Sequence, residues 1–318
     1  MQTTRRSFLL SSAATLAFGK KTLSGKERID KVLKGEMADR PPYTAWYHFG
    51  LEKEGPERHA QATINFHRRF QTDIVKVMSD FPYPKPAGKW YEAREIPNPF
   101  PPQIRALEMI RDAVSKDAYF VETVFNPWNV AEKLSSKEEV LRLKNEEPQR
   151  LLDALDAIAR SEANHARQAI EAGASGIFLA IANAQEGILS EADYGKFSEP
   201  FDRMVLAAVR GARLNTLHLH GDKVYLQRFL KGWPAEVINY SEAATKVPIE
   251  FVRKQYSGTL MGGIDEVKFR KLSKNDLRKE FETAVKAAGP RLIVAPGCSV
   301  PNDSKDTEVA ALRDVIAR

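Results

Sequence analysis

From residue 43 to the C-terminus the sequence repeats one pattern: a short apolar run, then a stretch whose apolar residues recur every three or four positions. The runs fall at 43–49, 73–78, 119–126, 177–181, 214–220, 237–240, 260–264 and 291–295. Runs this short and this apolar suit strands buried on both faces. Helical sequence between them supplies the crossovers that parallel strands need. Strict alternation of strand and helix therefore predicts a parallel sheet of the α/β class, and eight units predict a closed (β/α)₈ TIM barrel. The competing arrangement is an open doubly wound sheet. No glycine-rich dinucleotide fingerprint follows the first run, which weighs against it. Helix starts are expected at Ser136, Ser190 and Ser273, with a break at Pro148.

The chain has 318 residues, enough for one large domain, and we expect it to run from 26 to 318. Its net charge of +6 is spread among acidic residues, without a basic block interleaved with aromatics. That pattern is a solvated surface, not a nucleic-acid face. The single cysteine excludes an intramolecular disulfide, so Cys298 is buried, reactive or a metal ligand.

Residues 1–25 read differently. Arg5-Arg6-Ser7-Phe8-Leu9-Leu10 leads into a mild apolar run ending at Ala17-Phe18-Gly19. A charged start, a short apolar stretch and small residues two apart are the parts of a signal peptide, and the run is too short to span a bilayer. The twin arginine resembles the signal read by the twin-arginine translocase. We therefore expect an exported, periplasmic protein with no membrane span in its mature part.

In a barrel the chemistry sits at the C-terminal ends of the strands. The polar residues found there are His48, Asp80, Asn126, Gln185, His220, Asn239, Asp265 and Cys298. Residues alternate across a strand, so His218 and His220 of Leu217-His218-Leu219-His220-Gly221-Asp222 share a face. With Cys298 they form a three-ligand set of the kind that leaves a catalytic zinc one open position. The alternative is that the histidines cap a strand and the cysteine is a small buried hydrophobe. Residues 81–102 carry too many prolines for regular structure and are expected either as a lid over the cavity or as a surface excursion.

With these residues placed, the chain resembles the uroporphyrinogen decarboxylase superfamily. The resemblance is carried by Glu27-Arg28-Ile29, Asp39-Arg40-Pro41-Pro42, Asp73-Ile74-Val75-Lys76-Val77-Met78 and Gly173-Ala174-Ser175-Gly176. It continues through Leu189-Ser190-Glu191, His218-Leu219-His220-Gly221, Gly262-Gly263-Ile264-Asp265 and Ala295-Pro296-Gly297-Cys298. It implies a (β/α)₈ barrel with one of two activities. The decarboxylases strip acetate groups from a tetrapyrrole without a cofactor, using an arginine pair after the first strand and an aspartate after the second. Asp80 matches the aspartate, but Trp46-Tyr47-His48 stands where the arginines would be.

The corrinoid-linked methyltransferases bind zinc through a His-x-Cys pair after strand five and a Cys after strand eight. His218, His220 and Cys298 match, with His220 replacing the first cysteine. The resemblance thus implies zinc, a corrinoid or tetrapyrrole as methyl carrier or substrate, and a corrinoid carrier as partner. Candidate catalytic residues are Asp80 and His48. Candidate contacts to a small-molecule substrate are Trp46, Asn126, Gln185, Asn239 and Asp265. Asp222 or Glu242 could orient a ligating imidazole. The competing functions are a cofactor-independent decarboxylase and a binding barrel without chemistry.

Overall fold

The computed structural model describes residues 22–51 and 53–317. The expected leader therefore lies almost wholly outside the described residues. Seven parallel strands form one sheet in sequence order. They are β1 (Ile74–Val77), β2 (Tyr119–Phe125), β3 (Ile177–Ile181), β4 (Thr216–Leu219), β5 (Val237–Tyr240), β6 (Thr259–Ile264) and β7 (Leu292–Pro296). Helical sequence intervenes between successive strands except between β4 and β5, which are joined by a short 3₁₀ turn, Leu226–Phe229.

The first expected strand, 43–49, is corrected by the structure. It contributes one parallel bridge, Tyr43 to Val294 of β7, rather than a regular strand. Its hydrogen bonds nevertheless run both ways. Thr44 N donates to Val294 O at 3.0 Å, and Asp73 N, just before β1, donates to Tyr43 O at 2.8 Å. Two causes keep the pairing short. Pro41 and Pro42 carry no N–H to donate. Beyond residue 46 the aromatic side chains leave for a helix: Tyr47 and Phe49 pack edge-on against Phe66 of helix Pro56–Phe70, at 5.3 and 6.0 Å between centroids. The buried Asp73 carboxylate ties this segment down, accepting from Arg28 at 2.9 Å, from Arg40 at 2.6 Å and from the Tyr43 amide at 2.9 Å.

The strands are mostly apolar because both of their faces are covered. In β1, Val75 and Val77 join the cluster formed with Ala60, Ile64 and Leu107 of the flanking helices. Ile74 and Met78 point the other way, into an inner cluster with Trp46, Phe178, Met261 and Ile293. That alternation puts Lys76 on the inner face as well. The helix caps follow the expected chemistry. Ser136, Ser190 and Ser273 each accept a hydrogen bond from the third helical amide, and Pro148 separates helix Lys137–Glu146 from helix Pro148–Glu171. Such caps satisfy amides that the helix itself leaves without partners.

Residues 81–100 form no strand or α-helix and do not wall the main cavity. They pack on helix Pro148–Glu171 instead: Ile96 N donates to Ser161 Oγ at 2.9 Å, and Phe100 meets His165 edge-on at 4.8 Å. Of the two readings of this stretch, the surface excursion describes its contacts. Among the described residues no helix is long and apolar enough to cross a membrane.

Candidate metal centre

At the C-terminal ends of the strands lies an open cavity of about 1010 Å³. His218 projects into it from β4, His220 follows β4 directly, and Cys298 follows β7. Parallel packing brings these chain-distant residues together. Cys298 Sγ lies 3.7 Å from His218 Nε2 and 3.4 Å from His220 Nδ1. All three donor atoms fall within 4.8 Å of one another. A tetrahedral zinc with nitrogen and sulfur ligands has edges of roughly 3.5 Å, so the triad already has nearly the spacing of a metal's donor set.

The orientation of His218 is set from behind. Its Nδ1 lies 2.6 Å from Asn239 Oδ1. The amide nitrogen of Asn239 donates to Met261 O at 3.0 Å and to Pro296 O at 3.3 Å, which leaves Oδ1 as the acceptor. His218 Nδ1 therefore carries a proton in either charge state, and in the neutral ring Nε2 is the nitrogen left free to ligate a metal beside Cys298. One face of the ring stacks on Phe178, 5.0 Å between centroids. Burial opposes ionisation of the Cys298 thiol, but hydrogen bonds to His218 and His220 and their charges outweigh it, bringing the thiol from 9.0 down to about 4. The thiolate is the form of cysteine that ligates metals and attacks electrophiles.

Two glycines allow the approach. At Gly297 a Cβ would stand 2.4 Å from Ser241 Cα, so only glycine lets the chain carry Cys298 past β5. Gly221, at φ 135°, turns the chain sharply after His220, and a Cβ there would overlap the Gln185 amide at 2.3 Å.

Of the other expected site residues, Trp46, His48 and Gln185 line this cavity. Gln185 also holds the turn after β4, donating to His220 O at 3.1 Å. Asp80 sits behind His48 rather than on the wall. One carboxylate oxygen is 3.2 Å from His48 Nδ1 and the other 3.7 Å from His59 Nδ1. Three residues expected as substrate contacts occupy other places. Asn126 is fully buried, caps helix Pro127–Leu134 and donates to Asn183 Oδ1 at 2.8 Å and Asp202 Oδ1 at 3.1 Å. Asn239 stands behind His218. Asp265 faces a separate cavity of about 710 Å³ between helices Ile249–Arg253 and Lys274–Ala288. Glu242 faces that cavity too, with its carboxylate on Ile249 N at 2.6 Å. Asp222 lines the main cavity.

Sequence reasoning passed over Lys76 and Glu266, which both line the main cavity. Burial pulls Lys76 from 10.5 down to about 8 despite the Cys298 charge. Burial pushes the Glu266 carboxyl up, and Cys298 adds to the shift; this carboxylate accepts from Gly297 N at 3.2 Å. The available signal was a single charge inside the apolar run Ile74–Val77.

A depressed thiol has a direct readout. In metal-free protein, alkylation of Cys298 by iodoacetamide should stay fast from pH 9 down through pH 6 and fade only near pH 4, where the thiolate takes up a proton. His220→Ala should move that midpoint upward, because it removes the nearer imidazole. A wild-type midpoint close to 9 would contradict the geometry.

The sequence profile of the family "Uroporphyrinogen decarboxylase (URO-D)" matches residues 89–318. No curated protein matches the chain significantly. Among solved structures, a methyltransferase from Methanosarcina mazei superposes with a TM-score of 0.77 at 18% identity, covering 93% of this chain and 98% of that one. A B12-independent methionine synthase from a Shewanella species, in complex with selenomethionine, gives a TM-score of 0.57 at 12% identity, covering 87% of this chain and 93% of its own. Likeness at these identities is likeness of fold. The family match, spanning well over half of the sequence, is what makes this chain a member of the uroporphyrinogen decarboxylase family.

Proposed function

We propose that the protein is a zinc-dependent methyltransferase that passes a methyl group to a thiol. The observation that carries this reading is the convergence of three donor atoms, one imidazole of which is already locked in the ligating tautomer. Bound zinc would hold a thiol substrate as its thiolate, the form that accepts a methyl group. The chain's own residues supply the rest. Cys298 brings the one anionic ligand, and His218 and His220 the neutral ones, leaving a net positive site for an anionic sulfur. Asn239 keeps His218 from turning away. Trp46 and Phe178, edge-on at 5.4 Å, keep water from one side of the site. His48, hydrogen-bonded at Nδ1 to Asp80, has Nε2 left to take the proton that the thiol gives up. A methylated corrinoid carrier would supply the methyl group, as a cation equivalent, to the thiolate held beside Cys298.

The lining of the cavity supports this reading over tetrapyrrole decarboxylation. The cavity wall has no arginine among the described residues, and arginine is the side chain that forks onto carboxylates. We also infer that residues 42–46 take the place of an eighth strand, so that the sheet closes into one barrel domain from 26 onward; the hydrogen bonds from Tyr43 and Thr44 to both edges support this.

Protein purified without an affinity tag should contain close to one zinc per chain. Cys298→Ser and His218→Ala should lose it and the transfer of methyl from methylcobalamin to a thiol, whereas His220→Cys should keep the metal. Asn239→Ala should weaken zinc roughly ten- to a hundredfold, as removing the group behind a ligating imidazole does. Zinc that persists undiminished in both Cys298→Ser and His218→Ala would place the ion elsewhere and end the proposal.

We further propose export to the periplasm by the twin-arginine translocase, on the strength of Arg5 and Arg6. Replacing both with Lys should retain the protein in the cytoplasm. Wild-type protein found there with an intact N-terminus would refute this.

A further inference from the structure

The starts of β6 and β7 lie at the opposite end of the sheet from the metal triad. Residues 254–258 lead into β6 from helix Ile249–Arg253, and residues 289–291 lead into β7 from helix Lys274–Ala288. Between these two connections lies a pocket of about 360 Å³ whose lining includes Arg253, Lys254, Tyr256, Ser257, Pro290 and Arg291. Three of those side chains are cationic, and no acid lines the pocket.

A guanidinium carries five N–H donors in a planar fork. Arg253 Nη2 donates to Gly258 O at 2.8 Å, while its Nη1 is buried with no hydrogen-bond partner. Arg291 donates to Leu33 O and, at 3.1 Å, to Lys34 O, open carbonyls at the end of helix Gly25–Lys34. Among the described residues neither arginine has a carboxylate within ion-pair distance. Burial holds Arg253 below its ordinary value, and the like charge of Arg291 adds to that. The acids nearby are engaged elsewhere. Glu250 pairs with Lys254 at 3.0 Å on the surface, and Glu236 accepts from Asn215 N at 3.0 Å. The Tyr256 hydroxyl makes no hydrogen bond among the described residues. Glycine at 258 leaves it room, since a Cβ there would stand 2.2 Å from the hydroxyl oxygen.

We propose that this pocket binds a phosphate group, free or carried by a small metabolite, at a site separate from the metal centre. Two like charges facing one pocket, with a donor left unmet, are stabilised by an anion placed between them. Phosphate suits them better than a carboxylate does. It offers two negative charges to two arginines, and its oxygens match the guanidinium fork. The hydroxyls of Tyr256 and Ser257 are donors for the oxygens that remain. The bound anion joins Arg253, ahead of β6, to Arg291, at the start of β7, and through Arg291 to the end of helix Gly25–Lys34. The site requires neither zinc nor the methyl-transfer reading.

Titration calorimetry on the full-length protein, at constant ionic strength in chloride, compares inorganic phosphate, glycerol 3-phosphate and glycerol. Both phosphate compounds should bind once per chain, and glycerol should not bind. Arg253→Gln should weaken binding roughly tenfold or more, because a charge-assisted contact is lost, while melting without ligand stays close to wild type. Tyr256→Phe keeps both arginines and should weaken binding a few-fold; it carries the test should Arg253→Gln not fold. Cys298→Ser should bind phosphate as wild type does, which separates this pocket from the cavity around the triad. Equal affinity for phosphate and its ester assigns free phosphate, and tighter binding of the ester assigns a phosphorylated metabolite; both support the site. The proposal is overturned if neither phosphate compound binds, or if binding is lost in Cys298→Ser. It is also overturned if binding is undiminished in Arg253→Gln or, should that variant not fold, in Tyr256→Phe.

Discussion

The hydrogen bond from His218 to Asn239 is a product of strand register. In the parallel pairing of β4 with β5, these two residues stand opposite one another, and the side chains of register partners on one face are neighbours. The 2.6 Å contact follows from that pairing. Asn239 is fixed in turn by carbonyls of β6 and β7, Met261 and Pro296, so the tautomer of one imidazole depends on four adjacent strands. A slip of one residue in β4 would turn His218 outward and bring Leu217 or Leu219 in. The outer cluster in which those leucines pack resists that slip. Apolar packing on the helix side therefore specifies a polar arrangement on the cavity side.

Much of the fold was legible because parallel strands need long apolar runs and helical crossovers, and both are local signals. Seven of the expected runs are strands within a residue or two of their bounds. The run at 43–49 misled because aromatic residues suit a strand and a helix-facing loop equally well. Whether Tyr47 and Phe49 would pair along β7 or pack on Phe66 is decided by tertiary contacts that no local pattern contains. The proline-rich stretch 81–102 was legible as irregular, and helix Pro101–Val114 begins at its end with the two prolines that suit a first turn. Where it packs could not be read from composition.

Within the site, the triad was legible for a physical reason. Alternation puts His218 and His220 on one face, and parallel strands bring their C-terminal ends to one rim, where Cys298 also stands. Position at a strand end is a weaker guide to role. Asn126, Asn239 and Asp265 all follow or end strands, yet one caps a helix, one steadies an imidazole and one faces the neighbouring cavity. A polar side chain at a strand end has the next helix and the next strand within reach as well as the cavity. Lys76 shows the reverse case. It lies within a buried strand, where a charge is costly, and that cost, rather than any motif, marks it as a cavity residue.

The central claim is that two imidazoles and one thiolate bind one zinc ion. X-ray absorption at the zinc edge of the purified full-length protein measures this directly. The account predicts two nitrogens at about 2.1 Å, one sulfur at about 2.3 Å and one further light atom from water, with a second sulfur appearing when a thiol is added. A zinc with no sulfur among its ligands, or one whose ligands do not change on adding a thiol, would contradict it.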